Sequence, residues 1–150
     1  MSNFLEVFDN AISHFMKRWG YWAIRISFAI IFIWFGILKP FGLSAAEGLL
    51  RATVSWLPFL STDTWLSLIG WWEVTIGIAF LFPKTTRLAI ALLFMQMVGT
   101  FMPLVFLPDI TFQPGGIHLP TMEGQYIIKN LMIISAAMAL GGTLYRKQAS

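Results

Sequence analysis

The sequence predicts an all-α, polytopic membrane four-helix bundle with an N-terminal amphipathic helix and a short outer interfacial helix, built as a single domain over residues 1–150. Hydrophobic residues make up 57% of the chain and charged residues only 11%, whereas about a quarter of a soluble domain is charged. Four apolar segments approach the length of about 20 residues that a bilayer requires. Membrane lipid is therefore the first expected partner of this chain.

The stretch 1–20 predicts an amphipathic helix ahead of the first span. Five apolar residues recur at spacings of four, four, three and four, which places them on one face of a helix. They are Phe4, Phe8, Ile12, Phe15 and Trp19. Such a helix is expected to rest on the cytoplasmic leaflet. The alternative is a docking surface for a soluble partner protein.

The four spans are predicted at about residues 21–38, 65–82, 88–107 and 126–144. Basic residues lie before the first span, between the second and third, and after the fourth. They are Lys17, Arg18, Lys84, Arg87, Arg146 and Lys147. Because these three places share one side of a four-span chain, the positive-inside rule makes that side cytoplasmic. We expect a multi-pass protein of the bacterial inner (plasma) membrane with both termini cytoplasmic.

A short helix is predicted between the first two spans, on the outer side of the membrane. Ser44 and Glu47 are spaced as a capping box, and Glu47 and Arg51 are spaced as an ion pair one helical turn apart. Pro58 is expected to end this segment. The helix is therefore expected to lie over the outer mouth of the bundle.

Glu73 is the most informative residue, because it is an acid within the apolar second span. A carboxylate at the centre of a membrane helix costs roughly 2.5 to 3.5 kcal/mol on insertion scales, so it usually faces the bundle interior and has a partner. With a rise of about 1.5 Å per residue, Glu73 and Gln96 reach similar depths near the centre of the bilayer. Gly70 and Gly77 share the Glu73 face and would let a neighbouring helix approach closely.

Other polar residues fall in the outer half of the predicted bundle. Lys129 and Asn130 lie in the outer third of span four, and Lys39 lies where span one ends. We expect these three to join Glu73 and Gln96 in one ligand or proton pocket, with a Glu73–Lys129 ion pair at its centre. The alternative is that the buried charges only fix helix packing.

Arg25 and the histidines lead to further expectations. Arg25 lies near the inner end of span one, where its long side chain could extend to the lipid headgroups. The chain has no cysteine and only two histidines, His14 and His118, which do not form a bundle haem site or a metal-ligand pattern. We expect no covalent or metal cofactor, and no catalytic residue is assigned. The net charge of +3 is small and scattered, so a nucleic-acid partner is not expected.

Three motifs in order resemble the DoxX-like superfamily of small four-helix membrane proteins, most closely its YkgB-like branch. They are RISFAIIFIWFGILK at 25–39, WEVTIG at 72–77 and IKNL at 128–131. The resemblance covers roughly residues 21–143. It assigns six positions to the recurrent pattern of the family: Arg25, Gly36, Lys39, Glu73, Gly77 and Lys129.

The resemblance implies a quinone-linked or oxidative-stress-related accessory subunit rather than a self-sufficient enzyme. On this hypothesis a quinone occupies an apolar cleft with a few polar groups, near Glu73, and a redox partner protein supplies the electrons. Two alternatives stay open. One is a transporter or permeation unit for a small solute, which four spans would have to form as a homo-oligomer, and the other is a non-catalytic membrane scaffold.

Overall fold

The structure, a computed structural model, describes the backbone of residues 2–146 and the side chains of residues 5–144. Lys147 and the side chains of Phe4 and Arg146, which entered the predictions above, lie outside these ranges. Within them the chain is helical and forms no strand. The helices are α1 (Ser2–Leu38), α2 (Glu47–Val54), α3 (Thr62–Leu81), α4 (Thr86–Phe101), α5 (Pro103–Phe106), α6 (Pro108–Thr111) and α7 (Met122–Arg146).

Four helical segments are long and apolar enough to cross a membrane. They are Leu5–Leu38, Thr62–Leu81, Pro83–Phe106 and Met122–Leu144. Helix α1 contacts α3 and α7, and α4 contacts the same two helices, so the four form a closed ring. This arrangement confirms the predicted helical bundle. We call the end of the bundle that carries α2, α5 and α6 the α2 end.

The N-terminal helix and the first span form one continuous helix, although the sequence predicts two. Helix α1 has 37 residues and is therefore about 55 Å long. Gly20, which lies at the predicted junction of the two, is inside the helix. A single glycine lowers helix stability by about 1 kcal/mol without ending the helix. Span one is therefore the C-terminal half of α1.

The short helix between the first two spans is present, but it begins later than its capping box predicts. Helix α2 begins at Glu47 without a side-chain cap, because the Ser44 hydroxyl accepts a hydrogen bond from the Ala46 amide at 3.3 Å instead. Such short-range bonds compete with helix capping. The predicted pair is confirmed, since Arg51 Nε lies 2.8 Å from Glu47 Oε1.

The third span is interrupted near the α2 end. Helix α4 ends at Phe101 and α5 begins at Pro103, because a proline has no amide hydrogen with which to continue the helical bonding. At the other end of the α3–α4 pair, a 3-10 turn at Pro83–Thr85 connects the two helices. The segment before α7 contains one antiparallel bridge, between Phe112 and Pro120.

The core lies between the four long helices and is built from aromatic and aliphatic side chains. Its buried members are Phe28, Ala29, Phe32, Ile76, Phe80, Ala89, Leu93, Met97, Ala137 and Leu140. Phe28 and Phe80 pack with their ring centroids 4.8 Å apart. Most of these side chains lie in the half of the bundle away from the α2 end.

Helices α1 and α3 approach so closely that only glycine fits at their contact. A Cβ on Gly36 would lie 2.8 Å from the Gly70 carbonyl oxygen, and a Cβ on Gly70 would lie 2.6 Å from the Gly36 carbonyl oxygen. One on Gly77 would lie 2.9 Å from the Ile33 amide nitrogen. The prediction that Gly70 and Gly77 admit a neighbouring helix is confirmed, and that neighbour is α1.

Adding one methyl group at this contact should destabilise the fold. We expect Gly36→Ala to lower the free energy of unfolding by about 1–3 kcal/mol, the usual cost of overpacking. The matched control is Gly142→Ala, since a Cβ there meets no atom within 4 Å and alanine favours a helix. Unfolding in detergent micelles, followed by tryptophan fluorescence, measures both. Equal stability of the two variants would contradict the close contact.

Candidate functional site

The Glu73 carboxylate is bonded from two helices at once. Its Oε2 accepts a hydrogen bond from Lys39 Nζ, just beyond the end of α1. Its Oε1 accepts one from Gln96 Nε2 of α4 at 2.9 Å. The Lys39 and Glu73 side chains are only 8% and 13% exposed. We call Lys39, Glu73 and Gln96 the carboxylate cluster.

The glycine contact brings the two charged residues together. Gly36 lies on α1 three residues before Lys39, and Gly70 lies on α3 three residues before Glu73, so each charge is about one helical turn from its glycine. Lys39 Nζ also donates to the Phe35 carbonyl oxygen at 3.3 Å. This oxygen lies in the last turn of α1, where carbonyls lack a helical partner. The ammonium thus bonds both to its own helix end and to α3.

The predicted ion pair between Glu73 and Lys129 is wrong, because Lys39 occupies that place. Lys129 is exposed, and its ammonium lies over the Tyr126 ring, 5.4 Å from the centroid. Asn130 donates to the backbone carbonyl oxygens of Tyr126 and Ile127 at 2.9 and 3.1 Å. The structure therefore brings Glu73, Gln96 and Lys39 together and places Lys129 and Asn130 outside the cluster.

Arg25 is buried, so the expectation that its side chain extends to the lipid headgroups is wrong. Its side chain is 1% exposed, and its Nε and Nη2 donate to the Phe80 carbonyl oxygen at 2.9 and 2.6 Å. Its Nη1 donates to the Tyr21 hydroxyl at 2.9 Å. Phe80 lies in the last turn of α3, where a cation stabilises the negative end of the helix. Arg25 is therefore a cap for α3.

A cavity of about 280 Å³ opens at the α2 end directly above Lys39. Its lining consists of Lys39, Pro40, Phe41, Gly42, Arg51, Asp63, Leu66 and Ser67. Lys39, Ser67 and Arg51 are the donor-bearing residues of this lining, and the Asp63 carboxylate, which is paired with Arg51, is its acidic member. The apolar side chains of Phe41 and Leu66 supply the rest. A ligand with acceptor oxygens and a small apolar body would match this surface.

The rim of the cavity is fixed by an ion-pair network on α2 and α3. Arg51 Nη2 lies 2.7 Å from Asp63 Oδ1, in addition to the bond from Arg51 to Glu47. The hydrogen bonds to Glu47 and then to Asp63 raise the pKa of the Arg51 guanidinium. The network is exposed, so it positions the rim more than it stabilises the fold.

Sequence reasoning assigned no role to Ser67 and did not anticipate the pair between Arg51 and Asp63. Ser67 precedes Gly70 by three residues, so its position beside the glycine contact of α3 was available as a signal. Asp63 is 12 residues from Arg51, and nothing in the sequence indicates that pairing. Trp65 has a buried indole Nε1 without a hydrogen-bond partner in the part of the chain that the structure describes.

Neither a metal cluster nor a known relative identifies this site. Among the described residues, no three histidine, aspartate or glutamate side chains gather closely enough to hold a metal ion. Comparisons of the chain with protein-family models, with curated proteins and with solved structures find no match. The DoxX-like resemblance therefore stays a prediction, and the site's own geometry carries the proposal below.

Removing the Lys39 ammonium should destabilise the protein far more than removing that of Lys129. We expect Lys39→Met to lower the free energy of unfolding by about 3–5 kcal/mol, because it leaves the buried Glu73 charge unpaired. Lys129→Met, at an exposed site, should change it by less than about 0.5 kcal/mol. Unfolding by sodium dodecyl sulfate, followed by circular dichroism, measures both.

The double variant Lys39→Met, Glu73→Gln provides the control for charge. It should recover part of the lost stability, since the amide is neutral and Gln96 remains as a partner. Equal loss in the two lysine variants would show that Lys39 is not the principal partner of Glu73.

Arg25→Lys should destabilise the bundle although it keeps the charge. A lysine cannot reproduce the two bonds that converge on the Phe80 carbonyl oxygen together with the bond to the Tyr21 hydroxyl. We expect a loss of about 1–3 kcal/mol, against less than about 0.5 kcal/mol for Arg18→Lys at an exposed position. Thermal unfolding of the two variants in the same detergent compares them. An unfolding temperature of Arg25→Lys equal to that of Arg18→Lys would contradict the role of Arg25 as the cap of α3.

Proposed function

We propose that the protein is a multi-pass protein of the bacterial inner membrane, of the DoxX-like type, with both termini cytoplasmic. In this membrane the α2 end faces outwards. Four apolar helices support the insertion. The positions of Lys17, Arg18, Lys84 and Arg87 support the orientation, because all four lie on the side away from the α2 end.

Within that membrane we propose a quinone-linked accessory subunit whose cavity above Lys39 receives the quinone head group. The observation that carries this proposal is the cavity itself, of about 280 Å³ and lined by donors next to apolar side chains. Its volume is just below the range of about 300–1,000 Å³ that is usual for small-molecule sites, so it suits a single ring rather than a larger ligand. A bound quinone supplies an acceptor for two electrons and two protons.

Different residues of the cavity would contact different parts of the quinone head group. Lys39 and Ser67 would donate hydrogen bonds to acceptor oxygens of the head group. Phe41 and Leu66 would cover its apolar ring. Glu73 holds the Lys39 ammonium in place through their hydrogen bond. In this proposal the electron donor is a partner redox protein.

A scaffold role is the second candidate, and one specific observation favours it. Both oxygens of Glu73 already have partners on α1 and α4, as they would in a device that only fixes the packing of three helices. The permeation alternative has less support. Beyond the cluster, the bundle is filled by large apolar side chains such as Phe32, Ile76 and Phe80.

Filling the cavity should abolish quinone binding without unfolding the protein. We expect Ser67→Leu to reduce co-purified quinone at least tenfold, because the larger side chain occupies the space beside Lys39. The control is Ser135→Leu, since Ser135 is exposed on α7 and its hydroxyl donates to the Leu131 carbonyl oxygen of the same helix. Mass spectrometry of lipophilic extracts, normalised to protein, measures the quinone.

Two results would contradict the quinone proposal. One is wild-type protein that carries only phospholipid and binds no added short-chain ubiquinone by tryptophan fluorescence. The other is equal quinone in the two serine variants while both retain the wild-type unfolding temperature. Either would leave the scaffold as the better account of the carboxylate cluster.

A further inference from the structure

A second cleft, larger than the cavity above Lys39, opens where α6 meets the loop that leads to α7. Its volume is about 420 Å³, which lies within the range of about 300–1,000 Å³ that is usual for small-molecule sites. None of its lining residues lines the cavity above Lys39. We call it the α6 cleft, and the lining residues that matter for its chemistry are Asp109, Phe112, Gln113, Pro114 and Ile117.

The loop that follows α6 is held in shape by hydrogen bonds within itself. The Gln113 amide donates to the Leu119 carbonyl oxygen at 2.8 Å, and Gln113 Nε2 donates to the Pro120 carbonyl oxygen at 3.2 Å. Between these contacts, Gly115 and Gly116 have φ angles of 131° and 123°, which residues with a Cβ rarely adopt. The turn that closes the α6 cleft therefore depends on these two glycines.

The cleft is also fixed to the bundle through the start of α7. The Thr121 amide donates to the Thr111 carbonyl oxygen at 3.0 Å, and Thr121 Oγ1 donates to the Ile110 carbonyl oxygen at 2.7 Å. Helix α7 packs so closely on α6 that a Cβ on Gly124 would lie 2.0 Å from the Thr111 carbonyl oxygen. Because these contacts already order the loop, a ligand would lose little affinity to ordering it.

The lining of the α6 cleft combines one acid with aromatic and apolar side chains. Asp109 is the charged residue of this lining, and it forms no salt bridge with any residue that the structure describes. Phe112 is partly buried, and Ile117 is 82% exposed, so both present apolar surface to a ligand. A carboxylate attracts a cation, and so does the face of an aromatic ring. An anion would be repelled by Asp109.

The α2 end as a whole carries more acidic than basic side chains. Lys39 is paired with the buried Glu73, so these two charges largely cancel. Among the other described side chains at this end, the bases are Arg51 and Lys129, and the acids are Glu47, Asp63, Asp109 and Glu123. Such an excess of one sign raises the local concentration of oppositely charged ligands. The surroundings of the cleft therefore favour a cation as well.

We propose that the α6 cleft binds a small organic cation, with an ammonium group on an aromatic or aliphatic body. The ammonium group would pair with Asp109, and the apolar body would lie against Phe112, Pro114 and Ile117. The competing occupant is a basic side chain of a partner protein. A single lysine side chain would leave much of the volume of about 420 Å³ unfilled, so a whole small molecule fits better. This inference is independent of the quinone proposal.

Fluorine NMR can test the site on the full-length protein in nanodiscs of zwitterionic lipid. The probe is para-fluorophenethylammonium, and para-fluorophenylethanol is its neutral counterpart of similar shape. Broadening of the fluorine signal during titration, relative to empty nanodiscs, gives each dissociation constant. We expect the cation to bind about fivefold more tightly than the alcohol, which corresponds to a partly exposed ion pair. Equal affinity for the two probes, or no saturable binding of the cation, overturns the inference.

Variants then assign the binding to the α6 cleft. Asp109→Asn keeps the shape of the side chain without its charge, so we expect it to weaken binding of the cation about fivefold and to leave binding of the alcohol unchanged. The matched control is Glu123→Gln, because Glu123 is an exposed acid at the same end of the bundle and should leave both affinities unchanged. Wild-type affinity for the cation in Asp109→Asn overturns the inference.

Two further measurements separate a small-molecule site from a contact with charge alone. Phe112→Leu removes the aromatic ring and should weaken binding of the cationic probe about threefold. Methylammonium has the charge without the ring, and we expect it to displace the probe only at concentrations at least tenfold higher. An unchanged affinity in Phe112→Leu overturns the inference. Displacement by methylammonium at equal concentration also overturns it, in favour of a basic side chain from a partner protein.

Discussion

The packing of the bundle depends on how the charge of one buried acid, Glu73, is compensated. Glu73 lies 13% exposed among apolar helices, and an uncompensated charge in such surroundings costs several kcal/mol. Lys39 neutralises it from the end of α1, and Gln96 satisfies its second oxygen from α4. One carboxylate therefore fixes the register of three of the four long helices. Any sliding of α1 or α4 along α3 would break a bond to this group.

The glycines make that compensation geometrically possible. Lys39 folds back to its own last turn, bonding the Phe35 carbonyl, so its ammonium reaches Glu73 only if the α1 and α3 backbones nearly touch. Gly36 and Gly70 provide this approach, since any Cβ would overlap a backbone atom of the other helix. The packing contact and the ion pair thus form one structural unit. Each of the two chain segments contributes a glycine to it and, three residues later, a charged residue.

Much of this site follows from the sequence, and the exceptions have physical reasons. The helical rise is enough to place Glu73 and Gln96 at the same depth, and they are bonded in the structure. The same reasoning favours Lys129 over Lys39 and is wrong, because depth says nothing about which way a side chain points. Helix α7 is apolar around most of its circumference, so no hydrophobic face in its sequence reveals that Lys129 turns outwards.

Arg25 and the rim of the cavity show a second limit of sequence reasoning. The partner of Arg25 is the backbone carbonyl of Phe80. Every residue type has such a carbonyl, so the sequence does not indicate this contact. The Arg51–Asp63 pair connects two helices whose relative placement depends on the loop between them. Sequence periodicity predicts helices and their faces, whereas contacts between loops and backbone groups require the assembled fold.

Two buried cations, Arg25 on α1 and Lys39 just beyond its end, together limit how α1 can move relative to α3. Arg25 bonds the C-terminal end of α3, and Lys39 bonds Glu73 nearer its N-terminal end, so α1 is fixed to α3 at two points on either side of the Gly77 contact. Helix α7 has no hydrogen bond of this kind to the other long helices among the described side chains. A ligand that competes for the Lys39 ammonium from the cavity would therefore act first on the α2 end of the α1–α3 pair. The bond between Arg25 and Phe80 would hold the opposite end together while the cluster rearranged.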